Sequence, residues 1–187
     1  MNYKFSITKN EQGFTLVELL VSLVIFSIVM GLGSTALLSI MQSNNKAKLI
    51  NRLRTDGSRV IEEIEREIKV ADEVQALTSY NLDYRKNGNE YYRYSIIDNS
   101  STDNNNSIVK TQCTGLGIGC TTSLYTLTPT DNQNGLNVAL PPSSSFTYYD
   151  YGEVKIIFTF EQPVGLPDRQ EYQGSITLNS SVTLRDY

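Results

Sequence analysis

Gly13-Phe14-Thr15-Leu16-Val17-Glu18 opens the stretch on which the reading of the whole chain turns. From Phe14 to Met41 the sequence runs FTLVELLVSLVIFSIVMGLGSTALLSIM, 28 residues with a single charge, Glu18. A helix rises about 1.5 Å per residue, so about 20 apolar residues cross the hydrocarbon core of a bilayer. The run is long enough and reads as one transmembrane helix. Residues 1–13 ahead of it are polar and short, with Lys4, Lys9 and one acid, Glu11.

Glu18 is the feature that an ordinary hydrophobic segment does not carry. A carboxylate inside the apolar slab costs about 2.5–3.5 kcal/mol on insertion scales, so a functional reason and a partner must be sought. No Lys or Arg lies between Phe14 and Met41. A cut after Gly13 would expose the amine of Phe14 in the same layer, where it could neutralise the Glu18 of a neighbouring subunit. Two simpler readings compete. One is a secretory signal peptide cleaved after Ala36, where Ser34-Thr35-Ala36 supplies small residues; the run is longer than the usual apolar core of such signals. The other is a plain uncleaved signal anchor.

The Gly13-Phe14 junction, Glu18 five places into the cleaved chain and the apolar run behind them resemble the processing site of type IV prepilins and type II secretion pseudopilins. The resemblance implies that a membrane-embedded prepilin peptidase cuts after Gly13 and N-methylates Phe14, and that Glu18 guides docking into a growing filament. It also implies the other partners: further pilin or pseudopilin subunits, the inner-membrane assembly platform and membrane lipid. Thr35 stands where many members carry a helix-breaking Pro, although Gly31 and Gly33 each weaken a helix by about 1 kcal/mol relative to Ala. Lys46, Lys48, Arg52 and Arg54 follow the span, and the positive-inside rule alone would hold the C-terminal body in the cytoplasm. The processing motif requires the opposite: a cytoplasmic leader and a body outside the cytoplasm.

Beyond the span, residues 46–77 carry a helical period. Leu49 or Ile50, Leu53, Gly57, Val60 or Ile61, Ile64, Ile68, Ala71 and Val74 recur at three- and four-residue steps. Glu62 with Arg66 and Glu65 with Lys69 stand in the favourable order for i,i+4 pairs. Gly57, after Asp56, is a candidate kink. The stretch from Ser58 to Ile68 resembles the corresponding helix of minor pilins and J-type pseudopilins, and the presence of Glu18 argues against the K-type tip pseudopilins.

From residue 78 short strands alternate with polar turns. Expected strands are Leu82–Arg85, Tyr91–Ile97, Ile108–Thr111, Leu124–Thr128, Phe146–Tyr149, Val154–Phe160 and Ser175–Arg185, with Asn179-Ser180-Ser181 a candidate break in the last. Lys86-Asn87-Gly88-Asn89 reads as a hairpin turn. Val154, Ile156, Phe158 and Phe160 alternate with more polar neighbours, which suits a sheet face packed on the helix. The expected fold is therefore α+β and pilin-like: a leader over 1–13, a transmembrane helix over 14–41, an amphipathic extension over 42–77 and a β-rich domain over 78–187, its helix packed on an antiparallel sheet.

Composition narrows the chemistry. The chain of 187 residues has no His and no Trp, which excludes Ser-His-Asp and Cys-His nucleophile systems and imidazole metal sites. Its 16 basic and 20 acidic residues give a net charge of −4, so nucleic-acid binding has no global electrostatic support and none is assumed. No enzyme activity, catalytic residue, cofactor or metal is expected. The polar loop Asp98–Ser107 invites a calcium reading, but its spacing does not fit an EF-hand and a solvated loop is the simpler expectation. Cys113 and Cys120 bracket TGLGIG; in an exported body they are expected to form a disulfide, with free thiols the alternative. The clusters Tyr91-Tyr92-Arg93-Tyr94 and Tyr148-Tyr149-Asp150-Tyr151 read first as strand packing, with adhesion or DNA contact the lesser use. The function expected is a structural subunit, a minor pilin or pseudopilin of a type IV pilus or type II secretion pseudopilus. The alternative is a membrane-anchored or secreted β-rich binding or adhesion domain.

Overall fold

The structure, a computed structural model, describes residues 13–133, 135–169 and 172–184. The expected leader therefore lies outside the described residues except for Gly13. The chain divides into two units, Met1–Met41 and Gln42–Tyr187.

Helix α1 (Leu16–Lys69) is 54 residues long and contributes to both units. In the first unit the large apolar side chains between Phe14 and Met41 are all exposed, so nothing among the described residues covers them. The hydroxyls in this stretch turn back onto the helix. Ser22, Ser27 and Ser34 donate to the carbonyls of Glu18, Leu23 and Met30 at 2.7–2.8 Å, and Thr35 donates to that of Leu32 at 2.9 Å. Polar groups satisfied in this way suit an apolar surrounding. The helix passes through Gly31, Gly33 and Thr35 without interruption.

The second unit packs the remainder of α1 with nine strands among the described residues. Leu53, Val60, Ile61, Ile64 and Ile68 form its buried stripe, and burying a side chain of this size contributes about 1.5–3 kcal/mol. Strands β1 (Glu73–Thr78), β2 (Asn81–Lys86), β3 (Glu90–Ile97), β4 (Ser107–Cys113) and β5 (Thr122–Thr126) make one antiparallel sheet in sequence order. In a second sheet, β8 (Glu153–Glu161) is flanked by β9 (Ser175–Thr183) on one edge. On the other edge it pairs with β7 (Ser145–Tyr149) and the two-residue β6 (Asn137–Val138). The single sheet expected is thus two, and both give side chains to one core with the helix. Val154, Ile156, Phe158 and Phe160 are wholly buried along β8, the alternation that one packed sheet face demands.

The helix ends eight residues before the expected boundary of 77. Val70 and Ala71 close a last tight turn on the carbonyls of Glu67 and Ile68 at 3.3 and 3.1 Å, and the Asp72 amide already bonds the Arg85 carbonyl of β2 at 2.8 Å. The Asp72 carboxylate accepts from the Gly88 amide at 2.8 Å. Ala71 and Val74 are buried, but by a turn and by β1; their three-residue spacing from Ile68 imitates a helical period. The hairpin at residues 86–90 forms as expected, with Asn87 and Gly88 at φ 54° and 78°. Strand β9 runs unbroken through Asn179, Ser180 and Ser181, each in register with β8; Arg185 lies outside the described residues. At Gly57 the helix continues without a break.

Candidate functional site: the N-terminal segment and the body it carries

Residue by residue, the N-terminal site is built from a helix start. Thr15 precedes the first helical residue, and its hydroxyl accepts the amide of Glu18 at 3.3 Å, satisfying one of the donors that a helix start leaves open. Thr15-Leu16-Val17-Glu18 has the T-x-x-E spacing of a capping box, a local signal in the sequence that marks this helix start. It puts Glu18 in the first turn, where the helix dipole favours a carboxylate. Gly13 and Phe14 lie just before the helix, both exposed. The junction, the carboxylate and the apolar surface are therefore contiguous and accessible.

The body is held by charge networks that no local sequence pattern signals. Glu67, on the last turns of α1, accepts from the Tyr84 hydroxyl at 3.1 Å, from Lys86 Nζ at 3.4 Å and from Lys110 Nζ at 3.3 Å. Burial works to raise the carboxyl's pKa, but the two ammonium groups and the Tyr84 hydroxyl outweigh it and hold the pKa below the usual value. Lys110 is nearly buried, 4.7–5.8 Å from the ring centroids of Tyr84, Tyr92, Tyr94 and Tyr125, a cation–π enclosure. Tyr125 in turn donates to Glu63 of α1 at 2.6 Å. The first tyrosine cluster thus packs, as its strand reading expects. In the second, Tyr149 and Tyr151 stack at 5.4 Å and Tyr151 is 71% exposed.

A second network fixes the cysteine loop. Cys113 and Cys120 form the expected disulfide. Within the loop the Gly117 amide donates to Asp83 Oδ2 at 2.7 Å. Arg93 grips both oxygens of the same carboxylate at 2.6 and 2.9 Å, the two-pronged geometry that a buried carboxylate requires. Among the described residues no group of three or more His, Cys, Asp or Glu is placed to hold a metal. In the loop Asp98–Ser107, Asp98 instead accepts from the Ser100 amide at 2.9 Å. Asn99, Asn105 and Asn106 bond neighbouring backbone and side-chain groups, including Asn137 of β6.

Comparison with known families agrees with the N-terminal geometry. Residues 8–34 match the family model described as the prokaryotic N-terminal methylation motif. No curated protein and no solved structure gives a match. The N-terminal segment is a type IV pilin-like leader and methylation motif, the mark of a pilin- or pseudopilin-type substrate of prepilin peptidase. It implies processing by that peptidase and assembly with other pilin-type subunits. Among the described residues, α1 is the one helix long and apolar enough to cross a membrane, which accords with a membrane-anchored protein.

Proposed function

We propose that the chain is a structural, non-enzymatic subunit, a minor pilin or pseudopilin of a type IV pilus or type II secretion pseudopilus. Prepilin peptidase cuts it after Gly13 and methylates the amine of Phe14. The cleaved chain rests in the membrane by residues 14–41 with its body outside the cytoplasm, and then enters a filament through the inner-membrane assembly platform. The observation that carries this reading is the pairing of an exposed Gly13-Phe14 junction with Glu18, the one charge on an apolar helix surface that nothing among the described residues covers. A helix bundle formed with neighbouring subunits would bury that surface, and the Phe14 amine of one subunit would neutralise the Glu18 of the next.

The test is the N-terminal residue and intact mass of the protein recovered from native-host membranes. A chain that starts at Phe14 and carries one extra methyl group is the expected result. A start at Leu37 would mean a cleaved signal peptide and a secreted domain. An intact Met1, with active peptidase present, would leave a simple anchor and remove the filament mechanism.

A further inference from the structure

Within the second unit, α1 borders a groove of about 320 Å³. Leu49, Pro163, Leu166 and Tyr172 give it an apolar lining, to which Lys48 and Arg52 add two cations and Asn45 and Gln133 two amides. Both cations are exposed, as are Lys46, Arg54 and Arg59 on the same stretch of helix. Residues 46–59 thus hold five cations and one acid in a chain whose net charge is −4. Acids resume only at Glu62. The one acid, Asp56, pairs with Arg52 at 3.5 Å, with both side chains about half exposed. Such a surface pair contributes little, and a guanidinium can hold a second oxyanion beside it.

Position supplies the occupant. The cations begin five residues beyond Met41, so chain connectivity keeps them close to whichever bilayer holds the apolar run. Basic clusters that adjoin a membrane span are attracted to anionic lipid by about 1 kcal/mol per cation, a force felt within a Debye length of the surface. A lining that combines apolar side chains with two cations matches an amphiphile that is negative at one end and hydrocarbon at the other.

We propose that this groove holds an anionic phospholipid, with its phosphate against Lys48 and Arg52 and the upper part of an acyl chain against Leu49, Leu166 and Tyr172. The proposal rests on residues 14–41 spanning a bilayer, and it adds a lipid-selective site on the body. The contact would hold the body against the membrane before assembly and would have to be surrendered when the subunit is extracted.

Full-length protein in detergent, offered equal amounts of dioleoyl phosphatidylglycerol and dioleoyl phosphatidylcholine, would be analysed by native mass spectrometry. The expected result is preferential retention of phosphatidylglycerol, by about fivefold for each cation engaged. A Lys48→Gln/Arg52→Gln variant should lose that preference at unchanged thermal stability, and Lys155→Gln on β8 should keep it. Equal retention of the two lipids by the native chain would overturn the proposal, as would an undiminished preference in the double variant. Loss of self-association in the variant, with lipid preference intact, would assign the stripe to a second copy and equally overturn it. Alkaline extraction of membranes separates the two levels: release of the native chain would refute the spanning helix itself, whatever the lipid result.

Discussion

Gly57 of α1 lies directly beneath the ring of Phe160 on β8. A Cβ built at Gly57 would stand 2.6 Å from two carbons of that ring and 3.1 Å from Leu178 Cδ1. Phe160 is fully buried, so its ring has no free space into which to turn. Here the glycine serves close approach of helix and sheet.

Gly57→Ala should therefore destabilise the body. Ala gains about 1 kcal/mol in helix propensity, but overpacking a filled core costs about 1–3 kcal/mol. Gly57→Leu should cost more, and Phe160→Leu should partly rescue Gly57→Ala by vacating the space. Thermal unfolding of the four chains checks the order, and a more stable Gly57→Ala would show that the ring gives way.

Glu18→Ala should block incorporation into the filament and leave the body folded. The side chain is exposed in the first helical turn, outside the unit that contains the sheets. Filament content on coexpression with the assembly machinery gives one readout, and near-ultraviolet circular dichroism the other. Assembly at the wild-type level would rule out the proposed pairing with the Phe14 amine.

Stability should fall at both ends of the pH scale for different reasons. Glu67 has a lowered pKa in the folded state, so its contribution is present above the unfolded carboxyl's value and is lost as pH falls through the folded one. Tyr84 is pushed up by burial, then by Tyr94 and Glu67; Tyr94 is raised chiefly by burial. Unfolded tyrosines ionise near pH 10 while these remain protonated, so stability declines as pH rises above about 10. Glu67→Gln should flatten the acid limb of a denaturation series and Tyr84→Phe the alkaline limb. Unchanged slopes would mean that other groups govern them.

Lys110→Met should cost more than Lys86→Met. Both ammonium groups reach Glu67, but the Lys110 side chain is 9% exposed and Lys86 29%. Removing the buried partner also empties the tyrosine enclosure. A loss of about 2–3 kcal/mol is expected for Lys110→Met, less than the roughly 3–5 kcal/mol of a fully broken buried pair because Lys86 and Tyr84 remain. For the more exposed Lys86 about 1 kcal/mol or less is expected. Equal losses in urea denaturation would mean that the tyrosine enclosure adds nothing.

Replacing Cys113 and Cys120 together by Ser should cost about 2–3 kcal/mol, the loop-closure contribution of so short a bridge. The Gly117 amide would then have to hold Asp83 from an unclosed loop, so hydrogen exchange at Gly117 should accelerate more than exchange in β8. A uniform change across both sheets would show that the bridge does not act locally.

The N-terminal half of the problem was legible in the chain because its signals are local. An apolar run whose single carboxylate stands at a fixed offset from a Gly-Phe junction is read within a few residues, and the T-x-x-E cap lies in the same short stretch. The alternating β8 and the Asn87-Gly88 turn were equally plain, since a pleat and a left-handed turn each impose their own short pattern. The missed helix end has the same origin: Ile68, Ala71 and Val74 keep a helical spacing across a boundary that the pairing of Asp72 and Val74 with β2 decides.

By itself, then, the sequence determined that this chain carries an N-terminal methylation motif, an apolar helix with an acid in its first turn and a β-rich body behind it. Only the tertiary structure decided that the body has two sheets, and that Gly57 is a packing point under Phe160. Only it brought Glu67 to Lys110, 43 residues away, and Asp83 to Gly117, 34 residues away. The reason is physical. Helix caps, turns and alternation are set by neighbours along the chain, whereas the partner of a buried charge is set by which strands close over it. No spacing within one segment encodes that choice.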